Sequence, residues 1–273
     1  MKKLLALLLC LVSTTLWANS CGMILPVSPG GSTDLYGRII EKQNKDIVIQ
    51  YKPGAFASAG IFALQQNKDL FMLTVANMHS ISNPNKNPNV ELLKALFVID
   101  SMIITSKDIA FADLLNKKVN VGIPLPGHTH HTISLVLKQK NPDLEIIQFG
   151  ADAKALISLL NGDIDAYVIS SPIGNEWLKQ FPKLKQLADI PFGQPFKSHG
   201  VTLESLNFFG VFVSKDATSE QKQNALSCIN RATSQTGYSE EFAKIGIRTR
   251  EFSDKEKDQL LERYIAGMRK VGL

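Results

Sequence analysis

The feature that most constrains the fold is an alternation of short apolar β-type runs with longer segments of helical periodicity. Strands are predicted at residues 23–27, 47–51, 70–75, 95–105, 118–123, 145–149, 165–170 and 208–214. Helices are predicted at residues 34–43, 57–66, 130–140, 153–161, 219–236 and 254–271. This order of elements predicts an α/β fold with largely parallel sheets.

Glycine and proline follow several of the predicted strands, within residues 29–31, 53–54 and 124–127. Loops that follow the carboxyl ends of parallel strands collect at one edge of a sheet, where ligands usually bind. The chain therefore predicts a binding site built from loops.

The first of these loops, "PGGSTD", contains a doubled glycine. Gly30 and Gly31 allow positive φ and a close approach to a ligand, and Ser32 or Thr33 is expected to cap the following helix. The free amides and partial positive charge of a helix start suit an anion. Asp34 would repel an anion placed against it, so contact is expected through backbone and hydroxyl groups. The alternative is an ordinary strand-to-helix turn, and the loop lacks the P-loop lysine and the dinucleotide spacing.

Two further loops precede predicted helices. "YKPGAFASAG" places a turn before Ser58, which is expected to cap the next helix, and "PLPGHTHHT" brings together His128, His130 and His131. Adjacent His130 and His131 cannot both face one ion from the same side of a helix, and no acidic or cysteine partner is close in sequence. We predict no metal site here, and instead a helix-start loop with one imidazole facing a pocket.

Catalytic signatures do not stand out in the sequence. It contains no G-x-S-x-G, no H-E-x-x-H and no cysteine placed near a histidine. Asp163 and Asp165 lie at a turn entering a strand, where acidic residues are common because the position is solvated. We predict a protein that is not an enzyme and has no cofactor.

The first twenty residues are typical of a secretory signal peptide. Lys2 and Lys3 precede an apolar run at residues 4–12, and Ala18 marks the expected cleavage site. Lipid attachment at Cys21 is the alternative. Removing this segment takes away two lysines and no acids, so the formal charge of +5 falls to about +3. A charge this small gives no reason to expect nucleic-acid or membrane binding, and we predict an exported, periplasmic protein.

Two cysteines remain after Cys10 leaves with the signal segment. Cys21 and Cys228 form an even pair in an oxidising compartment, so one disulfide is a reasonable expectation. The alternative is that Cys228, within the helical pattern "QKQNALSCINRA", is simply a small buried apolar residue.

Five stretches, in order between about Ile24 and Ile247, resemble the extracytoplasmic solute receptors of tripartite tricarboxylate transporters, the Bug family. They are "PVSPGGSTDLYGRII", "IVIQYKPGAFASAG", "VGIPLPGHTHHT", "FGADAKALISLLNGDIDAYVISSP" and "NFFGVFVSKDATSEQKQNALSCINRAT". His131 falls on the family's histidine. One such stretch is a weak signal, but five in register are a strong one.

The resemblance implies a type II periplasmic-binding fold, with two α/β lobes that close on one small ligand. The first lobe would comprise residues 21–104 plus 207–273, and the second residues 105–206. It also implies a monomeric receptor that delivers a carboxylate-bearing metabolite to the membrane subunits of a tripartite transporter. The alternative is a sensor subunit that signals to a membrane kinase.

The family holds a ligand carboxylate with backbone amides, hydroxyls and waters. Carried over by position, the predicted contacts are Ser28, Gly30, Gly31, Ser32, Asp34, Ala55, Phe56, Ala57, Ser58, Asn77, His79, Gly127, His128, Thr129, Asp152 and Ser170. Val27 replaces a usual aromatic residue, and His128 and Asp152 replace small ones. Asp152 is expected either to cap the helix from Ala153 or to receive a ligand ammonium.

Overall fold

The structure is a computed structural model that describes residues 21–54, 57–75, 89–124 and 126–272. The strands are β1 (Cys21–Leu25), β2 (Ile47–Tyr51), β3 (Phe71–Val75), β4 (Val90–Ile99), β5 (Ser101–Thr105), β6 (Asn120–Ile123), β7 (Glu145–Gln148), β8 (Ala166–Ser170), β9 (Lys185–Ile190), β10 (Phe196–Ser198), β11 (Val201–Leu203) and β12 (Asn207–Ser214). The α-helices are α1 (Ser32–Gln43), α2 (Ser58–Gln66), α3 (Thr129–Lys140), α4 (Asp152–Asn161), α5 (Ser171–Gln180), α6 (Ser219–Thr233), α7 (Thr236–Lys244) and α8 (Asp254–Lys270). The predicted signal segment, and Ala55, Phe56, Asn77 and His79, lie outside the described residues.

Two five-stranded sheets form the frame, in the orders β2-β1-β3-β12-β4 and β7-β6-β8-β5-β9. In the first, β1 is parallel to β2 and β3, whereas β12 is antiparallel to β3 and β4. In the second, β6 is parallel to β7 and β8, whereas β5 is antiparallel to β8 and β9. The prediction of largely parallel sheets is therefore wrong for half of the strand pairs. In these two sheets the antiparallel pairs are made by β5 and β12, the strands that begin where the chain changes sheets, and β10 and β11 form a separate antiparallel pair.

The predicted strand at residues 95–105 is in fact two strands in different sheets, β4 and β5, separated by Asp100. The Asp100 carboxylate accepts a hydrogen bond from Phe192 N–H (2.7 Å), and its carbonyl accepts one from Ser171 N–H (2.8 Å). The chain changes sheets here and again between β11 and β12, where Ser205 hydrogen-bonds Ser101 (Oγ to Oγ, 2.8 Å). The predicted lobe limit at residue 104 thus falls inside β5, a strand of the second sheet.

The first sheet carries an aromatic core beneath α1. Tyr36 packs edge-on against Phe97 and Phe209, with ring centroids 5.3 and 5.0 Å apart, and Phe242 closes the group 4.5 Å from Phe97. Each such pair adds about 0.5–1.5 kcal/mol beyond area burial. The helix lies close to β1 because Gly37 faces Leu25, whose side chain would be 2.7 Å from an added Cβ. This packing fixes the start of α1 at the end of β1.

The second sheet has its own cores, one on each face. Tyr167 of β8 stacks on Trp177 of α5, with centroids 5.9 Å apart, and Ile133 and Leu137 of α3 pack among the buried residues of the opposite face. The sequence prediction missed α5, α7 and β9 to β11. The stretch "SPIGNEWLKQ" contains both proline and glycine, which masks its helical periodicity.

A disulfide joins Cys21, at the first residue of β1, to Cys228 in α6, with Cα atoms 6.3 Å apart. The predicted pairing is confirmed, and the alternative of a merely apolar Cys228 is wrong. In the described ranges, no helix has the length and apolarity to cross a bilayer.

Candidate functional site

The parallel strands of both sheets end in loops that lead directly into helices. In the first sheet β1 leads into α1 and β2 into α2, and in the second sheet β6, β7 and β8 lead into α3, α4 and α5. We call these two sets of strand ends the first edge and the second edge. Tyr264 of α8 packs in the core of the first sheet and donates a hydrogen bond to the Gly127 carbonyl at the second edge (3.2 Å). This bond joins the second edge to the core of the first sheet.

The loop before α1 is exposed from Ser28 to Gly31. Gly30 has φ of +94°, a conformation that favours glycine, whereas Gly31 is extended with φ of −97° and ψ of 179°. The expectation of positive φ is thus correct for Gly30 and wrong for Gly31. Gly31 is also the N-cap of α1, so the predicted capping by Ser32 or Thr33 is wrong, because both lie inside the first turn.

The start of α1 presents main-chain donors. Its first intrahelical bond runs from Leu35 N–H to the Gly31 carbonyl (3.0 Å). The N–H groups of Ser32 and Thr33 therefore have no acceptor inside the helix, and together with the helix dipole they favour an anion. Ser32 is half-buried and Thr33 is buried.

The Asp34 carboxylate organises this loop. It accepts hydrogen bonds from Gly30 N–H (2.7 Å), from Tyr51 OH (2.6 Å) and from Arg38 Nε (2.9 Å). Burial opposes ionisation of Asp34, but the bonds from Tyr51 and Gly30 and the charge of Arg38 outweigh it and lower its pKa. Its oxygens already have three donors, which leaves ligand contact at this edge to main-chain and hydroxyl groups.

The loop before α2 has a different geometry. The N-cap of α2 is Ala57, a buried residue in the left-handed conformation with φ of 60°, and its N–H donates to the Gly54 carbonyl (3.2 Å). Ser58 is the first helical residue and is exposed, so its predicted role as a cap is wrong. A non-glycine residue in this conformation is uncommon and tends to occur at functional sites.

At the second edge, the loop before α3 is held from both sides. Gly127 has φ of +71°, and its N–H donates to His131 Nδ1 (3.1 Å). His128 is the N-cap of α3 without a side-chain capping bond, and Thr129 is buried in the first turn. His131, the residue that matches the family's histidine, thus supports the loop backbone.

Two imidazoles lie side by side here, whereas one pocket-facing imidazole was predicted: His130 is buried and His128 is partly exposed. The rings of His128 and His130 lie 4.6 Å apart between centroids. His128 Nδ1 and both ring nitrogens of His130 are buried, and no described residue hydrogen-bonds them. Burial lowers the pKa of His128 to about 4, and burial together with His128 lowers that of His130 well below its usual value. Both rings are therefore neutral at pH 7.

Asp152 lies at the start of α4, where the N-cap is Ala151, so its predicted capping role is wrong. Its carboxylate accepts a hydrogen bond from Tyr167 OH (2.7 Å). Burial raises the pKa of Asp152, and the bond from Tyr167 opposes this only in part. Burial and then the charge of Asp152 raise the pKa of Tyr36 in α1.

Ser170 is the N-cap of α5, and the buried Ser171 follows it with an Oγ that no described residue hydrogen-bonds. Sequence reasoning did not assign His130 or Ser171 to the site. His130 stands three and seven residues before the apolar Ile133 and Leu137, which indicates the buried face of a helix.

Within the described part of the chain, no group of three or more His, Cys, Asp or Glu residues is placed to hold a metal ion.

The helix starts at the two edges share one feature. None of the N-cap residues of α1 to α5 (Gly31, Ala57, His128, Ala151 and Ser170) makes a side-chain capping bond within the described structure. Away from the edges, α6 and α8 begin with capping boxes, Thr218 with Gln221 and Ser253 with Glu256, whereas α7 begins at Gln235 without a side-chain cap. The five strand ends that meet at the two edges therefore present uncapped helix starts.

No protein-family model and no curated protein matches the chain, but solved structures do. A malate-bound MatC protein from Rhodopseudomonas palustris matches with a TM-score of 0.75 and 15% identity, over 93% of this chain and 99% of that one. The periplasmic binding protein BugD matches with a TM-score of 0.72 and 16% identity, over 93% and 97%. A TctC solute-binding protein from Polaromonas matches with a TM-score of 0.67 and 18% identity, over 94% and 99%.

This chain has the fold of these solute-binding proteins. The predicted fold class, a type II periplasmic-binding fold with two α/β lobes and a cleft between them, is confirmed. The resemblance to Bug-family receptors is borne out in the fold, over nearly the full length of the described chain.

Proposed function

We propose that the protein is a periplasmic receptor that captures a small carboxylate-bearing metabolite and delivers it to the membrane subunits of a tripartite tricarboxylate-type transporter. The observation that carries the proposal is the set of uncapped helix starts, α1 to α5, at the two edges. Uncapped helix starts present N–H groups and partial positive charge, which suit a carboxylate without a dedicated arginine.

The α1 start is the proposed seat of the ligand carboxylate. Gly31, Ser32 and Thr33 supply N–H groups there, and the exposed Ser28 adds a hydroxyl. Asp34 holds Gly30 in its positive-φ conformation and keeps the loop in place. We retain the other predicted contacts at both edges as proposals, namely Ala55, Phe56, Ala57, Ser58, Asn77, His79, Gly127, His128, Thr129, Asp152 and Ser170.

Lobe closure is the proposed means of signalling that ligand is bound. We retain the two predicted lobes, residues 21–104 plus 207–273 and residues 105–206, with one change. The first crossing is placed at Asp100, because β5 (Ser101–Thr105) belongs to the second sheet, and the Ser101–Ser205 pair joins the two crossing segments. A ligand that contacts both edges binds the closed form more tightly and so shifts the population toward it. The membrane partner would then recognise the closed surface.

Exported localisation, a monomeric state and the absence of catalysis belong to the same proposal. Protein neighbours with this fold include periplasmic and solute-binding proteins, one of them bound to malate. These neighbours support a function in transport more than the alternative, a subunit that signals to a membrane kinase.

The proposal is tested by thermal unfolding of the exported protein with a panel of mono-, di- and tricarboxylates. A bound acid at about a hundred times its Kd stabilises the protein by about 2.7 kcal/mol. The corresponding amides keep size and shape but remove the charge, and we expect no shift with them. A panel of acids that leaves the midpoint unchanged would refute carboxylate capture.

A further inference from the structure

The strongest unexplained feature lies at the second edge. Six buried side-chain nitrogen or oxygen atoms have no hydrogen-bond partner among the described residues. Four of them stand at the starts of α3 and α5: His128 Nδ1, both ring nitrogens of His130, and Ser171 Oγ. Buried polar groups in native proteins are rarely left unpaired, so a cluster of them in a binding cleft indicates a partner that arrives from outside.

His130 is the central member of this cluster. It is only 3% exposed, and it lies on the face of α3 that packs against the second sheet through Ile133 and Leu137. Its carbonyl accepts a bond from Ser134 Oγ (2.9 Å), but its ring bonds nothing among the described residues. The His128 ring links it to the surface, because His128 is partly exposed.

The chemistry of a neutral imidazole selects the partner. One ring nitrogen donates a hydrogen bond and the other accepts one, so His130 lacks both an acceptor and a donor. A single ligand atom cannot bond both nitrogens of one ring, but it can bond one nitrogen of each ring. A carboxylate oxygen there could only accept and an ammonium could only donate, whereas a hydroxyl group accepts from one ring and donates to the other.

We propose that the His128–His130 pair binds a hydroxyl group of the ligand and determines specificity, so that the protein selects a hydroxy acid. This inference rests on the proposed function, which places the ligand carboxylate at the start of α1. The hydroxyl donates to one ring and accepts from the other, and Ser171 lies at the same edge.

Matched pairs of acids test the inference, because each pair differs by one hydroxyl group. The pairs are lactate and propionate, malate and succinate, citrate and tricarballylate, and mandelate and phenylacetate. For the pair that fits the cleft, we expect the hydroxy acid to bind about ten- to a hundredfold more tightly by titration calorimetry. A site built to hydrogen-bond a hydroxyl discriminates strongly against the analogue that lacks it.

The variant His130→Leu separates ligand binding from folding. Since the His130 ring has no partner in the described structure, its replacement by an apolar side chain should leave the unliganded midpoint unchanged or higher. The hydroxy acid should lose its advantage, while the deoxy acid keeps its affinity. His199→Asn is the matched control, because His199 is exposed, has φ of 48° and lies outside both edges.

The outcomes are distinct. Equal affinities within every pair, or a hydroxyl preference that survives His130→Leu, would overturn the inference while leaving carboxylate capture intact. An unliganded His130→Leu protein that unfolds at a lower temperature would show that the ring supports the fold, and would also overturn it. If no acid of any pair binds, the proposed function fails first, and the inference fails with it.

Discussion

The two edges of the cleft are built on opposite principles. At the first edge, the Asp34 carboxylate has three hydrogen-bond donors, and the loop that it organises is complete without a ligand. At the second edge, both ring nitrogens of the buried His130 and the buried Nδ1 of the partly exposed His128 have no hydrogen-bond partner among the described residues. In the proposed function, the first edge is preorganised for an anion, and the second edge has unpaired groups that the ligand would satisfy.

Two aspartates show the same contrast in their ionisation. Asp34 has a lowered pKa because donors and a nearby arginine outweigh the effect of burial, whereas Asp152 has a raised pKa because burial outweighs its single bond from Tyr167. The position of a carboxylate at a helix start therefore does not decide its charge. The balance between burial and hydrogen-bond donors does.

The largest expected effect is that of removing the disulfide between Cys21 and Cys228. The Cys21–Cys228 disulfide closes a loop with a sequence separation of 207 residues. Replacing both cysteines by alanine should lower the free energy of unfolding by about 4–5 kcal/mol, because the unfolded chain regains the freedom that the bond removes. Urea unfolding followed by far-UV circular dichroism measures the loss.

A second probe tests whether this loss is confined to the first sheet. Trp177 packs in the second sheet, and it is the only tryptophan of the chain beyond residue 20. Its fluorescence, measured in protein that lacks residues 1–20, should report a smaller shift than circular dichroism does. An unchanged transition by both probes would contradict a stabilising role for the disulfide.

The next effect is that of Asp34→Asn, which removes the charge that three donors hold. We expect a loss of about 1–3 kcal/mol and weaker acid binding, because the loop is no longer fixed. A lowered folded-state pKa gives stability that is present above the unfolded pKa and is lost as pH falls through the folded one. The difference from wild type should therefore shrink in strong acid. Asp108→Asn, at an exposed carboxylate, is the control and should change neither measurement.

A matched pair of glycine substitutions probes the first edge at finer scale. Gly30→Ala should cost about 1–2 kcal/mol because φ is +94° there, while Gly31→Ala should change stability by less than about 0.5 kcal/mol because its backbone is extended and its surroundings are open. If the ligand approaches Gly31 closely, the methyl group weakens acid binding at an unchanged thermal midpoint. Undiminished affinity in Gly31→Ala would exclude a close approach of the ligand to the Gly31 Cα.

Much of the fold follows from periodicity in the sequence. The strand exits, the helices α1 to α4 and the disulfide were predicted because each depends on local pattern or on the redox compartment. The break at Asp100 was missed because apolar residues continue on both sides of it, and only the tertiary fold sends β4 and β5 to different sheets.

The site was less predictable, and the helix caps show why. Ser32, Ser58 and Asp152 are residue types that favour the N-cap, yet each is the first helical residue, and the N-caps are Gly31, Ala57 and Ala151. Local preference would satisfy these amides with a side chain of the protein. The fold instead leaves these amides without a side-chain cap. Such a disagreement between local residue preference and the tertiary fold is typical of a functional site.

The smallest effect, and the one of opposite sign, is that of Asp152→Asn. A raised folded-state pKa means that the native protein binds the proton more tightly than the unfolded chain, so stability falls as pH rises from the unfolded pKa through the folded one. The asparagine of the variant does not ionise, so its stability does not fall with rising pH for this reason. Its amide oxygen still accepts a hydrogen bond from Tyr167 OH. At pH 7 it should be as stable as wild type or more stable by up to about 1 kcal/mol, and the gain should vanish in acid.

Thermal unfolding from pH 3 to pH 8 measures this difference in stability, with Asp34→Asn as the reference variant whose stability should change with pH in the opposite direction. A variant less stable than wild type at neutral pH would contradict the account, and amino acids that bind wild type but not the variant would assign Asp152 to a ligand ammonium instead.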